Sequence, residues 1–170
     1  MGCAMEEFVQ KRHEQPAILD RPRELIVACP PMRSNINLSR IARTAGCCGI
    51  RKLICCGTAK LLPKIARDSH ETLDIEVHRT LAPVLRRLAA EGYQIVGLEQ
   101  TTGSQSLFTF SFDRRSVLVI GNERTGIEPE LLGLLHCTVE IPVYGMPYSH
   151  NAATAAAMAL YEYCRQFPTG

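Results

Sequence analysis

Four stretches of this chain are almost wholly apolar and short: Leu25-Ile26-Val27-Ala28-Cys29, Leu53-Ile54-Cys55, Ile95-Val96-Gly97-Leu98 and Val117-Leu118-Val119-Ile120. Each has the length of a strand and falls far below the ~20 residues of a membrane span. In an extended chain successive side chains point to opposite faces, so these strands carry apolar groups on both. Such a sheet must be covered on both sides, which parallel strands joined by helices achieve. The expected class is therefore α/β, a mainly parallel sheet with helices on both faces.

The pattern predicts strands over Glu24–Cys29, Lys52–Cys55, Gln94–Leu98, Ser116–Ile120 and Cys137–Ile141, with Ile75–Val77 at an edge. Helices are expected from Leu38 to about Cys47, from Thr80 to Glu91, over Pro129–Leu135 and over Asn151–Arg165. Asn37 and Asn151 stand where helix caps belong, and Thr80 is a third candidate. A short basic helix over residues 5–20 would form an amino-terminal extension of residues 1–22, leaving 23–170 as one domain.

Composition narrows the function classes. Hydrophobic residues make up 46% and charged residues 21%, ordinary for a globular protein and unlike a disordered one. The amino terminus lacks the apolar core of a secretory signal, so the expected location is cytoplasmic, with no membrane partner. Eight cysteines include two adjacent pairs but no CxxC, so buried thiols are expected and no metal site. Residues 1–70 hold 12 Lys and Arg against 6 Asp and Glu, while residues 71–170 hold 7 against 11. That asymmetry suits a polyanion on one side of the molecule.

Neither GxGxxG nor a Walker lysine occurs, which removes the usual dinucleotide and nucleotide-triphosphate sites. What stands out is Val119-Ile120-Gly121-Asn122-Glu123-Arg124-Thr125-Gly126, a glycine-bounded polar loop at the carboxyl end of a buried strand, where open α/β sheets bind ligands. Together with Asn37-Leu38-Ser39-Arg40-Ile41-Ala42-Arg43-Thr44-Ala45 and Ile141-Pro142-Val143-Tyr144-Gly145-Met146-Pro147-Tyr148-Ser149-His150-Asn151, it resembles the three ordered motifs of the SpoU group of SPOUT RNA 2′-O-ribose methyltransferases. The likeness runs from about residue 5 to 166. Ser39, the tract Gly92 to Gln100 and the ending Leu160-Tyr161-Glu162 are most similar to the tRNA D-loop guanosine enzymes of that group.

The resemblance implies a deep trefoil knot in the carboxyl-terminal third, S-adenosylmethionine (SAM) as cofactor, RNA as substrate and a homodimer whose site draws on both subunits. It assigns Arg43, Asn37, Glu123, Ser149 and Asn151 to the catalytic neighbourhood, and Leu98, Gln100, Gly121, Ile141 and His150 to the cofactor. A guanidinium stays protonated at physiological pH, so Arg43 would orient the ribose and its phosphate rather than act as a base. RNA phosphates are expected on Lys11, Arg12, Arg21, Arg23, Arg33 and Arg40. His150 replaces the family's usual leucine. The D-loop enzymes usually continue past the equivalent of Gly170, which leaves ribosomal RNA open as the substrate; an RNA-binding scaffold without catalysis is a further alternative.

Overall fold

A computed structural model describes residues 8–11 and 14–170. The apolar runs become β1 (Ile26–Cys29), β2 (Lys52–Cys56), β4 (Gln94–Leu98), β6 (Ser116–Ile120) and β7 (Cys137–Glu140), with β3 (Asp74–His78) at one edge and a short β5 (Gln105–Ser106) at the other. The seven strands are ordered β3-β2-β1-β6-β4-β7-β5, and every adjacent pair is parallel. All four residues of β1 and all five of β6 are buried, as their two-faced apolar content requires.

Both faces are covered. On one, α1 (Asn35–Cys47) and α6 (Ala152–Gln166) bring Leu38, Ile41, Ala156 and Leu160 onto Val27, Cys29, Leu118 and Ile120. On the other, α4 (Ala82–Ala90) and α5 (Pro129–Leu132) set Leu85, Leu88 and Leu131 against Ile26, Ala28, Val117 and Val119. Two further short helices, α2 (Pro63–Ala66) and α3 (Ser69–Thr72), connect β2 to β3. From β4 the chain crosses back to lay β6 between β1 and β4, then passes to the far side of β4 for β7. This order gathers the carboxyl ends of β1, β4, β6 and β7 together.

Several local expectations change. Ser34, not Asn37, caps α1: its Oγ accepts from the Asn37 amide at 3.2 Å, the cap-to-third-residue bond of a helix start. That leaves the Asn37 side chain free for another partner. Leu81, buried and without a side-chain cap, opens α4 in place of Thr80, while Pro83 sits in the first turn as expected. The amino-terminal helix does not form over residues 8–11 and 14–20, and the remainder of its expected span lies outside the described residues. Phe8, Val9 and Ile18 are exposed, so a short helix there would have no surface to pack against.

Candidate active site

The tight turn after β6 is built by one side chain. Asn122 Oδ1 accepts from the amides of Arg124 and Thr125 at 2.8 and 3.2 Å, and its Nδ2 donates to the Pro31 carbonyl at 2.7 Å. Asn122 and Gly126 exchange backbone hydrogen bonds, both 3.0 Å, with Gly126 at φ +66°. The turn is thereby locked to the β1–α1 loop. Glu99, directly after β4, fills the space that the glycines leave: its Oε2 accepts from the Ile127 amide at 2.9 Å and its Oε1 from the Gln100 amide at 3.0 Å. A Cβ on Gly126 would run into that Oε2, and the φ of +66° is one that side chains rarely adopt, so the position favours glycine.

Glu123 is the centre of a second set of bonds. Its Oε2 accepts from the Arg33 amide at 2.9 Å, and its Oε1 accepts from the Ser34 amide and from Asn37 Nδ2, both at 3.1 Å. Burial pushes the carboxyl pKa up, but these donors together with its own backbone amide outweigh burial and hold it below the ordinary value. Asn37 Oδ1 in turn accepts from Asn151 Nδ2 at 3.2 Å. Asn151 Oδ1 caps α6 by accepting from the amides of Ala153 and Thr154 at 2.9 and 3.3 Å.

This sequence of bonds has one direction. Because the α6 amides demand an oxygen from Asn151, its amide nitrogen must face Asn37. Asn37 then presents its oxygen to Asn151 and its nitrogen to position 123, where only an acceptor is acceptable. A carboxylate there meets three donors at once. The cap expected of Asn151 and its place in the site are thus one arrangement.

These loops surround a cleft of about 510 Å3. All of Leu98, Gln100, Gly121, Ile141 and His150 line it, as do Glu123, Ser149 and Asn151. Asn37 stands just behind, joined through Glu123 and Asn151. Gln100 Nε2 reaches the Tyr148 carbonyl at 3.4 Å and links two sides of the mouth. Ile120, Val139 and Ala155 add apolar wall. Arg43 is outside this group: it is exposed on α1, beyond the cleft lining, with no hydrogen bond or ion pair among the described residues. Ser39, though on the same motif, is buried and used structurally, its Oγ donating to the Asn35 carbonyl and accepting from the Leu62 amide.

The expected RNA cations separate. Arg21, Arg33 and Arg40 are exposed, Lys11 pairs with Glu14, and Arg12 lies outside the described residues. Arg23 is the correction: it is buried and donates to the Phe167 carbonyl, where the segments around residues 20 and 169 run side by side. It ties the segment before β1 to the residues after α6 and is not available to phosphate. Glu99 and Asn122 were missed as site residues. Their signal in the sequence is an acid or amide next to glycines at the carboxyl end of a buried strand. Among the described residues no three His, Cys, Asp or Glu side chains converge as metal ligands, and no helix is long and apolar enough to cross a membrane.

A family model described as SpoU rRNA Methylase matches residues 24–161. The chain belongs to the SpoU rRNA methylase family. Among its relatives, the mouse tRNA (guanosine(18)-2'-O)-methyltransferase TARBP1 is 32% identical over 84% of this chain, which spans 9% of that protein. An Aquifex aeolicus tRNA (guanosine(18)-2'-O)-methyltransferase is 31% identical over 86% of this chain and 71% of its own length. A Streptomyces viridochromogenes 23S rRNA (uridine(2479)-2'-O)-methyltransferase is 34% identical over 79% of this chain and 50% of its own. Among solved SpoU structures, the Aquifex aeolicus TrmH/SpoU tRNA modifying enzyme superposes with a TM-score of 0.82 at 30% identity, covering 88% of this chain and 78% of that one. The Streptomyces SpoU methyltransferase AviRb, solved with the cofactor AdoMet, gives 0.73 at 28% identity, over 89% and 64%.

Proposed function

We propose that this SpoU protein transfers a methyl group from SAM to a ribose 2′-hydroxyl of RNA in the cytoplasm, with a tRNA D-loop guanosine as its target. The observation that carries the reading is the bonded series Glu123–Asn37–Asn151, which draws three separate motifs to the lip of one cleft. The cleft suits SAM. Its volume of about 510 Å3 falls in the usual range for small-molecule sites. The wall of Leu98, Ile120, Ile141 and Ala155 is apolar enough for adenine, and Gln100 and the backbone around Gly121 and His150 offer polar contacts at its edges. Bound there, SAM supplies an electrophilic methyl group carried on a sulfonium.

Glu123 stays ionised, because its donors stabilise the anion, and that charge favours a cationic ligand at the same lip. A carboxylate held below its ordinary pKa is a poor proton acceptor, so Glu123 orients Asn37 and leaves the hydroxyl proton to water or another group. Arg43 orients the ribose and phosphate by charged hydrogen bonds. Because Arg43 is exposed and off the lining of its own cleft, the working unit is a homodimer in which a second copy delivers that guanidinium.

A second reading keeps the chemistry but takes ribosomal RNA, favoured by the 34% identity to the Streptomyces 23S enzyme. Incubating the protein with methyl-labelled SAM and total RNA, then locating the labelled ribose, separates the two. Label in tRNA at a D-loop guanosine supports the first reading, and label in ribosomal RNA supports the second. No heat on titration with saturating SAM would remove both and favour a non-catalytic scaffold.

A further inference from the structure

The loop that closes the cleft, residues 142–150, has two kinds of side chain. Pro147, Ser149 and His150 line the cleft. Tyr144, Met146 and Tyr148 do not, and they are 87%, 73% and 74% exposed. The whole sequence has only five tyrosines and five phenylalanines, so two bare rings in nine residues at the mouth of a site are a concentration that folding does not account for. Neither ring has an aromatic or cationic neighbour among the described residues. The Tyr148 backbone is nonetheless tied across the mouth by Gln100 Nε2, so its ring is carried on an anchored segment.

Charge around the mouth says what kind of group would cover the rings. Arg124 lines the cleft rim and is exposed, and Arg33 is exposed next to Glu123, onto which its amide is bonded. Neither guanidinium forms an ion pair among the described residues. Flat apolar rings beside free cations match a nucleotide, which joins an apolar-faced base to a phosphate anion. A rigid tyrosine also loses little conformational freedom when a base stacks on it.

We propose that Tyr144 and Tyr148 form a stacking platform for an unpaired base of the RNA next to the methylated ribose, with Arg33 and Arg124 holding the flanking phosphates. The platform rests on the reading of the substrate as RNA. It selects a splayed, single-stranded target over a helical one, since only an unstacked base exposes its face.

The test compares the parent chain with Tyr144→Ala, Tyr148→Ala, the double variant and the two Phe variants. An unmodified tRNA transcript and methyl-labelled SAM give kcat and KM, calorimetry gives SAM affinity, and sedimentation gives the assembly state. Loss of one stacked base should raise KM for the transcript by about tenfold, within the range of base–aromatic stacking. SAM affinity, kcat and assembly state should stay as in the parent, and the Phe variants should lie within about twofold of it, because stacking needs the ring and not the hydroxyl. An unchanged KM in the double variant overturns the platform, and so do Phe variants as weak as Ala. A change in assembly state or SAM affinity overturns it in favour of an interface between copies or a packing role. A parent that tightly binds SAM but neither retains nor methylates the tRNA transcript or ribosomal RNA fails the RNA reading and takes the platform with it; a parent that works on either RNA with indifferent variants removes the platform alone.

Discussion

Replacing Glu123 with glutamine keeps the shape of the side chain and changes only what it can accept. The carboxylate takes three donors, from Arg33 N, Ser34 N and Asn37 Nδ2, at 2.9, 3.1 and 3.1 Å. Glutamine can keep its oxygen on Ser34 and Asn37, but both bonds then lose their ionic partner. Since a bond to a charged group contributes about 1.5–3 kcal/mol and a neutral one about 0.5–1.5, each falls by roughly 1 kcal/mol. The glutamine nitrogen faces the Arg33 amide, donor against donor, and that bond is lost. Arg33 is exposed, so its amide can turn to water, which limits this part to about 1 kcal/mol. Glu123 itself is only half-buried, and water screens part of the charge, so the expected destabilisation is about 2–3 kcal/mol.

Urea denaturation at neutral pH should show a lower midpoint with an unchanged slope. The pH dependence makes the argument specific. The folded carboxyl has a pKa below its ordinary value, so its contribution is complete above the unfolded pKa and is lost as pH falls through the folded one. Glutamine does not titrate. The gap between parent and Glu123→Gln should therefore be widest at neutral pH and close as the solution is acidified below the ordinary carboxylate range. Equal midpoints at pH 7, or a gap that stays constant into acid, would refute the account of Glu123 as an ionised hub.

Other expectations follow from the same geometry. Gly126→Ala meets both a positive φ of +66° and the Glu99 carboxylate. It should lower stability by at least about 1–2 kcal/mol in denaturation and weaken SAM binding by calorimetry, and unchanged SAM affinity would separate the turn from the cofactor site. Arg43→Ala should abolish methyl transfer and largely spare SAM binding. Glu123→Gln, which loses the ionised group that orients Asn37, should itself transfer little methyl; mixing the two inactive proteins should restore activity above either alone, since a dimer of one copy each keeps one complete site, and no recovery after subunit exchange would count against delivery of Arg43 by the second copy. Glu76 is lowered to about 2 by its hydrogen bonds from Lys52 and His78, against the opposing effect of burial. Its contribution should hold at neutral pH and disappear as pH falls from about 4.5 to about 2, whereas Glu76→Gln should show a flatter acid limb in the same titration.

The strands were legible because both of their faces are apolar. Val117-Leu118-Val119-Ile120 and Leu25-Ile26-Val27-Ala28-Cys29 cannot sit at a surface, and the structure buries all of them. The edge position of Ile75–Val77 was legible for the opposite reason, since Glu76 interrupts the apolar run and finds Lys52 and His78 outside the core. Strand order was not legible. Periodicity fixes which residues face inward and says nothing about which strand lies beside which, so the insertion of β6 between β1 and β4 had no local signature. The resemblance alone suggested an unusual path for the carboxyl-terminal third. Over the described residues of its expected span the amino-terminal helix is absent, because local propensity without a packing surface does not hold a short helix.

At the site, residue type was readable and partner was not. Asn37 and Asn151 each suited a cap, and the choice between cap and site residue looked exclusive. It was not: Asn151 uses its oxygen on α6 and its nitrogen on Asn37, while Ser34 frees Asn37 by taking over the cap of α1. An amide has a donor end and an acceptor end, so a row of amides between a helix terminus and a carboxylate acquires a direction that no single position reveals. Arg23 fails by the same logic, since a guanidinium looks alike whether it meets a phosphate or the Phe167 carbonyl. The helix start on α6 therefore dictates an acceptor at position 123, in the turn after β6, and the added amides of Arg33 and Ser34 are why that acceptor is a carboxylate at the lip of the cleft.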